Sequence, residues 1–522
     1  MRVRIIPRFW TLALALLIVL RAPALAIDVL DPDEAGHAVN AATWLEGGVP
    51  YVDFADNKQP FVYGAYALAF AFCGRSLAAV HALTLPWLLA TGWLVGGLAA
   101  ATWGTTVARR WGVLLFVLGG SAYLEKDMLA TNTEVLMNLP LAAAFWVVFA
   151  PSRLPAGVVA ALSGLAAGAA LLFNLKAALA LPGLLLALAS FGGAARWARA
   201  AIWTASAGVL PAVVVTYLWH RGGLADAWFW NVALNFSYSG AGLPLGSLGV
   251  AGGTLYGFPR LLLFGLATLP LWIGAGVAAR RAWPDRERRA SAAAAFVWLA
   301  GSLAGACIGG RFYGHYFVAL MPPLAWLASG PLASVLARPA GSQRAPRAWL
   351  RAAAVLGLVV PVAGLTIAGW VRISNRHLDA LRPEVFEVAD AVRQRTSPGD
   401  RVFVWGYWPQ LYYYAGRPPA TRFVFPQTLA GYVPGRPDVL ASRPRDEQYM
   451  RGDHWELWAA DMARHPAELL IDTAPAAIHY WEHFPMSAYP PLADLVARRY
   501  RHEATVAGVS IYRLRRDAGD SR

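Results

Sequence analysis

Long apolar runs, each close to the length of a bilayer-crossing helix and divided by short basic loops, limit this chain's folds more than any other feature. They fall at 9–27, 75–104, 111–124, 133–150, 156–173, 177–195, 200–219, 253–279, 290–308, 316–337 and 352–372. One soluble core cannot use so much apolar surface, and 57% hydrophobic against 15% charged residues, with a mean hydropathy of +0.43, says the same. An α-helical polytopic membrane protein of about eleven transmembrane helices is expected. The run at 111–124 is short for a span, so it should be tilted, begin earlier, or reach only part way.

A net charge of +14 would suit nucleic acid, but the arginines sit in the loops between runs, where they set membrane orientation. No nucleic-acid partner is expected. Arg2, Arg4 and Arg8 place the N-terminus in the cytoplasm; Arg109, Arg110, Arg153, Arg196, Arg199, Arg280 to Arg289 and Arg338 to Arg351 then follow on that same side. The competing reading of the first run is a secretory signal cleaved near Ala24-Leu25-Ala26. Alanine- and arginine-rich usage points to a bacterium, hence to its inner membrane. Two cysteines exclude a disulfide framework and a thiolate metal cluster; Cys73 and Cys307 read as buried, inert thiols, with one bridge as the alternative.

From residue 373 the pattern changes. Strand-length runs, Arg401 to Trp405 and Glu468 to Asp472, alternate with helical patterns at 449–465 and 491–500. A membrane domain over 1–372 followed by a small extracytoplasmic α/β domain over 373–522 is therefore expected. The aromatics Trp405, Tyr407, Trp408 and Tyr412 to Tyr414 read as core and interface residues, with stacking on sugar rings as the alternative.

Eight charged residues should surface together on the outer side: Asp33, Glu34, Lys58, Glu125, Asp127, Lys176, Arg311 and His315. Ionisable groups at a bilayer edge are costly and usually face water, a partner or a substrate. In the first outer loop, 28–74, Asp31-Pro32-Asp33-Glu34 is a helix start, and Ala35, Ala38, Val39, Ala42 and Leu45 recur at helical spacing before Gly47-Gly48. An amphipathic interfacial helix is expected there, whose first-turn acids would suit the helix dipole even without chemistry. Lys58, next to Gln59-Pro60 at a helix entrance, lies at the depth of a lipid phosphate. In the second outer loop, Glu125, Asp127 and Glu134 are candidate binding acids, with capping by Asn132 or Thr133 as the plain account. Lys176 reads as a snorkelling lysine, and 228–238 as a second interfacial helix in lipid contact. No ligand spacing supports a metal site, though Asp33, Glu34 and His37 could share a helix face, and no glycine-rich loop supports a nucleotide sugar.

Asp33-Glu34-Ala35, Leu45 to Tyr51 and Asn57-Lys58-Gln59-Pro60 together resemble the first outer loop of the C-type membrane glycosyltransferases. They are similar in particular to the bacterial dolichyl-phosphate-mannose protein mannosyltransferase-like group, which includes the aminoarabinose transferases of lipid A. Gly309 to His315, followed by Met321-Pro322-Pro323, resembles that group's entry into a late membrane helix; Gln59, where many relatives carry a second proline, departs from it. The resemblance implies transfer of a sugar from a polyprenyl-phosphate donor to a protein, lipid or polysaccharide acceptor outside the membrane, usually with inversion and often without a required metal. It implies Asp33 as general base, Glu34 as runner-up or orienting partner, and Lys58, Arg311 and His315 at the donor phosphate. It also implies acceptor binding by the second outer loop of Glu125, Asp127 and Glu134, where Glu134 best matches the family's acid and Asp127 is the alternative. A transporter or lipid flippase, or a membrane-anchored glycan-binding scaffold, is the alternative from another class. Against a carrier stand the absence of an internal repeat and charges placed at outer loops rather than midplane.

Overall fold

The computed structural model describes residues 5–120, 128–190, 195–236, 249–337, 348–374, 382–432 and 450–516. The membrane part runs through α1 (Ile5–Leu25), α2 (Pro32–Leu45), α3 (Pro60–Cys73), α4 (Leu77–Trp103), α5 (Thr106–Gly119), α6 (Thr133–Phe149), α7 (Ala156–Phe173), α8 (Leu181–Ser190), α9 (Arg196–His220) and α10 (Leu224–Trp228). It continues through α11 (Gly249–Ala267), α12 (Leu269–Ala282), α13 (Arg286–Cys307), α14 (Met321–Leu336) and α15 (Ala348–Ser374). Each of the eleven apolar runs is helical over most of its described part, the one at 253–279 with a break at Thr268. Among the described residues seven helices are long and apolar enough to cross a membrane, or eight if Gly257–Ala267 and Leu269–Ala282, bent by 77°, form one span. Pro60–Cys73, Thr133–Phe149 and Leu175–Ser190 are shorter apolar helices. The short run at 111–124 begins earlier, as α5.

Small residues let the helices approach. A side chain at Gly164 or Gly168, one turn apart on α7, would strike the backbone of α9 at Trp203 and Ala207, so this pair packs backbone to backbone. Deeper in the bundle Phe145 stacks on Trp298 at 4.5 Å.

The C-terminal part holds α16 (Pro383–Arg395), β1 (Val402–Trp405), α17 (Gln410–Ala415), α18 (Gln427–Ala430), α19 (Gly452–Arg464), β2 (Leu469–Asp472), α20 (Pro490–Arg499), β3 (Tyr500–Val506) and β4 (Val509–Leu514). The sheet order is β1-β2-β4-β3: β1 and β2 are parallel, with Val402 opposite Leu469, and the rest is antiparallel. Both expected strands and both expected helical patterns are present. The hairpin of β3 and β4 was not expected, because Tyr500 to Val506 alternates weakly; its turn is made by Ala507 (φ 49°) and Gly508 (φ 80°), the left-handed pair that a tight hairpin needs.

Asp472 ends β2 almost fully buried, and burial pushes its carboxyl up to about 6 against the hydrogen bond from Ala474 N that favours the charge. An acid with a raised folded value holds its proton better when folded, so the penalty is absent below about pH 4, grows through pH 4–6, and is complete above. Asp472→Asn should therefore stabilise the protein by roughly 2–3 kcal/mol at pH 7–8 and not at acid pH, as read from denaturant midpoints at the two pH values.

Helix α2 lies between the two parts. Residues Glu34 to Ala41 are all buried: Val39 joins the core of Val388, Val404, Leu411 and Ile471, and Gly36 leaves room for the ring of Phe425. The amphipathic interfacial helix read from the sequence is thus corrected to one covered on both faces. Both cysteines are free, and Cys73 is exposed rather than buried.

Candidate active site

The start of α2 is built as its residues dictate. Asp31 is the N-cap and accepts from Asp33 N at 2.8 Å, and Pro32 occupies the first turn. This sends the side chains of Asp33 and Glu34 to different places.

Asp33 Oδ2 meets Lys58 Nζ at 3.3 Å, with the two side chains 20% and 27% exposed, so the pair is reachable by a ligand. Lys58 Nζ also donates to Asn57 Oδ1 at 3.1 Å. Burial works to raise the Asp33 carboxyl, but the Lys58 ammonium, then His315 and His37, outweigh it and hold it below the usual carboxylate range. The loop carrying Lys58 is fixed from behind. Tyr51, held at φ 71°, donates its hydroxyl to Lys58 O at 2.9 Å, and Asn235 Nδ2 donates to Asn57 O at 3.0 Å. Asn231 Oδ1 accepts from the same Tyr51 hydroxyl at 3.3 Å. Asn231 and Asn235 project from a π-helical turn, Phe229–Ala233, and its continuation, so the described part of that segment, 228–236, is more than a lipid contact. Trp230 on this turn stacks on His454 of the C-terminal part at 5.1 Å, and Ala55 N donates to Arg422 O at 2.9 Å.

Glu34 points the other way and is fully buried. It accepts from Leu30 N at 3.0 Å, Thr131 N at 2.5 Å and His81 Nε2 at 2.9 Å.

A second carboxylate–lysine pair stands on the next loops. Glu134, in the first turn of α6, accepts from Thr133 Oγ1 (2.9 Å) and Asn174 Nδ2 (3.0 Å), and meets Lys176 Nζ at 3.4 Å. Asn132 takes the N-cap position without a side-chain cap bond, so the capping account of this loop is not what forms. Lys176 is correspondingly not a snorkelling residue: its Nζ also lies 3.0 Å from the ring centre of Tyr316, which packs edge-on against His315 at 4.8 Å. His315 lies within electrostatic range of both Asp33 and Glu134. Gln59 Oε1 accepts from Leu175 N at 3.3 Å and ties the Lys58 turn to the Lys176 turn. Arg311 is buried in the turn before His315, where Gly309 (φ 82°), Gly310 (φ 63°) and Phe312 (φ 50°) take left-handed backbone that explains the paired glycines.

Asp33, Lys58, Glu134, Lys176 and His315 therefore converge, Arg311 stands four residues before His315 in the same turn, and Glu34 does not share the cleft. Glu125 and Asp127 lie outside the described residues. Sequence reading missed Asp56, buried and accepting from Asn57 N at 2.7 Å and Asn40 Nδ2 at 3.3 Å, and the support from Asn231 and Asn235. The latter had a signal, two asparagines four apart in an aromatic segment. His37 bonds through Nδ1 to Asp33 O and lies 5.5 Å from the ring of Tyr66. Among the described residues no three His, Cys, Asp or Glu side chains converge on a metal site.

No family model and no curated protein matches the chain. Solved structures do. ArnT from Cupriavidus metallidurans bound to undecaprenyl phosphate is similar at TM-score 0.61 and 15% identity, over 97% of this chain and 97% of that one. Its apo state gives TM-score 0.58 at the same identity and coverage. The oligosaccharyltransferase AglB from Archaeoglobus fulgidus, in complex with an inhibitory peptide and a dolichol-phosphate, gives TM-score 0.51 and 12% identity over 99% of this chain and 74% of that one. The fold is that of the C-type membrane glycosyltransferases. At these identities the likeness is one of architecture, and it spans the bundle and the C-terminal sheet of the C-type fold together.

Proposed function

We propose that this protein is a multi-pass cell-membrane glycosyltransferase that moves a sugar from a polyprenyl-phosphate donor to an acceptor hydroxyl on the extracytoplasmic side. The observation that carries the reading is the Asp33–Lys58 pair, a carboxylate and an ammonium 3.3 Å apart at a reachable cleft of a C-type fold. Asp33 takes the acceptor hydroxyl's proton as that oxygen attacks the anomeric carbon. The bond from that carbon to the phosphate oxygen breaks, and the polyprenyl phosphate leaves with its charge held by Lys58, Arg311 and His315. A phosphate leaves well without protonation, so one carboxylate suffices. Attack from the face opposite the leaving group inverts the anomeric centre. Glu34 is assigned to structure because its oxygens are taken up inside the protein, and the acceptor is placed against the loop of Glu125 and Asp127 and the Glu134–Lys176 pair. The basic loops put the N-terminus in the cytoplasm and the C-terminal part, the expected domain over 373–522, outside a bacterial inner membrane.

The 77° break between α11 and α12 is the feature a carrier would use, yet the buried polar side chain at it is Thr268, which bonds back to Phe264 O at 2.6 Å and carries no charge. The test is transfer in membranes containing the protein, with labelled polyprenyl-phosphate sugars and native envelope acceptors. Transfer of one sugar supports the enzyme; donor crossing the bilayer without transfer would overturn it in favour of a flippase. Lys58→Gln should raise KM for the lipid donor by about tenfold or more, the loss of one charge-assisted contact, which saturation curves would measure.

A further inference from the structure

Beside the cleft, three ionisable side chains are sealed away from water: Glu34, His81 on α4 and Arg21 on α1, none more than 3% exposed. The sequence reading gives no role to His81 or Arg21. His81 Nε2 lies 2.9 Å from Glu34 Oε1, and its Nδ1 lies 2.7 Å from Ala24 O. With Glu34 ionised, its carboxylate and the Ala24 carbonyl both only accept, so both ring nitrogens are set to donate and the ring to carry the charge. Arg21 donates to Met128 O at 2.9 Å and to Leu129 O. Thr131 closes the group: its N–H goes to Glu34 at 2.5 Å, its hydroxyl pairs with Thr84 at 3.0 Å, and its carbonyl accepts from Tyr66 at 2.8 Å. The ends of α1 and the starts of α2 and α4 are thereby fixed to residues 128–131, which directly follow the loop of Glu125 and Asp127.

Buried ion pairs contribute little stability over an apolar set of equal volume, but their geometry is directional. Here that direction has a use. With Glu34 anchored inward, the adjacent Asp33 is turned toward Lys58, and residues 128–131 are set at a fixed distance from it.

We infer that His81, acting through Glu34, and Arg21, acting through the carbonyls of Met128 and Leu129, are positioning residues: a buried charged hub that aims Asp33 and registers residues 128–131 against it. The inference rests on Asp33 being the base. It is tested on the full-length protein in lipid nanodiscs. With 15N-labelled histidine, and His81 assigned by its absence in His81→Gln, the wild type should show both ring nitrogens protonated at pH 8; a neutral ring would overturn the hub whatever the activity. In transfer assays, His81→Gln should lower kcat by about 10²-fold, the size of an ångström-scale misplacement, with KM for the lipid donor changed less than about threefold. Hydrogen exchange should quicken at 128–131. A kcat per folded molecule equal to wild type would mean a merely structural hub and sink the inference. Should His81→Gln fold poorly, Glu34→Gln/His81→Gln removes both charges together and is read in the same way. Asp33→Asn separates the two ideas, since full activity in that variant would defeat the base assignment and leave the nitrogen spectrum to decide the charge alone.

Discussion

Asp33→Asn should fold as the wild type and lose transfer by about 10³-fold in kcat, within the range set by removal of a general base. Stability should stay within about 1 kcal/mol, because Lys58 is 27% exposed and keeps both water and Asn57 Oδ1 once its partner is neutral. The pH profile carries a second signature. Lys58, His315 and His37 hold the Asp33 carboxyl below its usual range against burial, so the acid limb of kcat/KM should fall below the ordinary carboxylate range. Lys58→Gln removes a lowering charge and should move that limb to higher pH. Wild-type turnover in Asp33→Asn, or an acid limb that stays put in Lys58→Gln, would remove Asp33 from the reaction.

The largest stability effect is expected at Asp461→Ala. Arg422 and Asp461 are buried and bidentate, Nε to Oδ2 at 2.9 Å and Nη2 to Oδ1 at 3.0 Å, and Arg422 N also donates to Oδ2 at 3.1 Å. Burial opposes the guanidinium charge, and Asp461 more than offsets it. Losing the carboxylate leaves that charge sealed without its counterion, at a cost of about 3–5 kcal/mol. Because Arg422 O also receives Ala55 N, three residues before Lys58, transfer should fall with the fold. Thermal unfolding monitored by tryptophan fluorescence checks the first effect, and a loss under about 1 kcal/mol would show that water reaches the pair.

What could be read from the sequence divides along physical lines. The apolar helices and the strands at β1 and β2 were legible because exclusion from water over a whole element, by protein or by lipid, leaves a periodic or continuous record. The cap Asp31-Pro32 was legible because its chemistry is local. Lys176 was misread because a lone lysine at a helix end carries no sign of Glu134, 42 residues away in sequence, which it meets at 3.4 Å. Arg21 and His81 were passed over inside apolar runs, where one polar residue barely alters the hydropathy. The burial of α2 was misjudged for a related reason: its second face is covered by Phe425 and its neighbours, a tertiary fact without a local trace.

Val39 has a consequence for how the chain is made. It completes a core otherwise formed by residues from Val385 onward, so a residue from the first loop must wait until most of the polypeptide has been synthesised and threaded before its partners exist. Until then α2 presents an uncovered apolar side at the membrane surface, open to chaperones and proteases. Biogenesis should therefore pass through a long-lived, protease-sensitive nascent state that ends only on release of the C-terminal part. A fragment cut near residue 382 would inherit the same gap, a hole in its core where Val39 belongs.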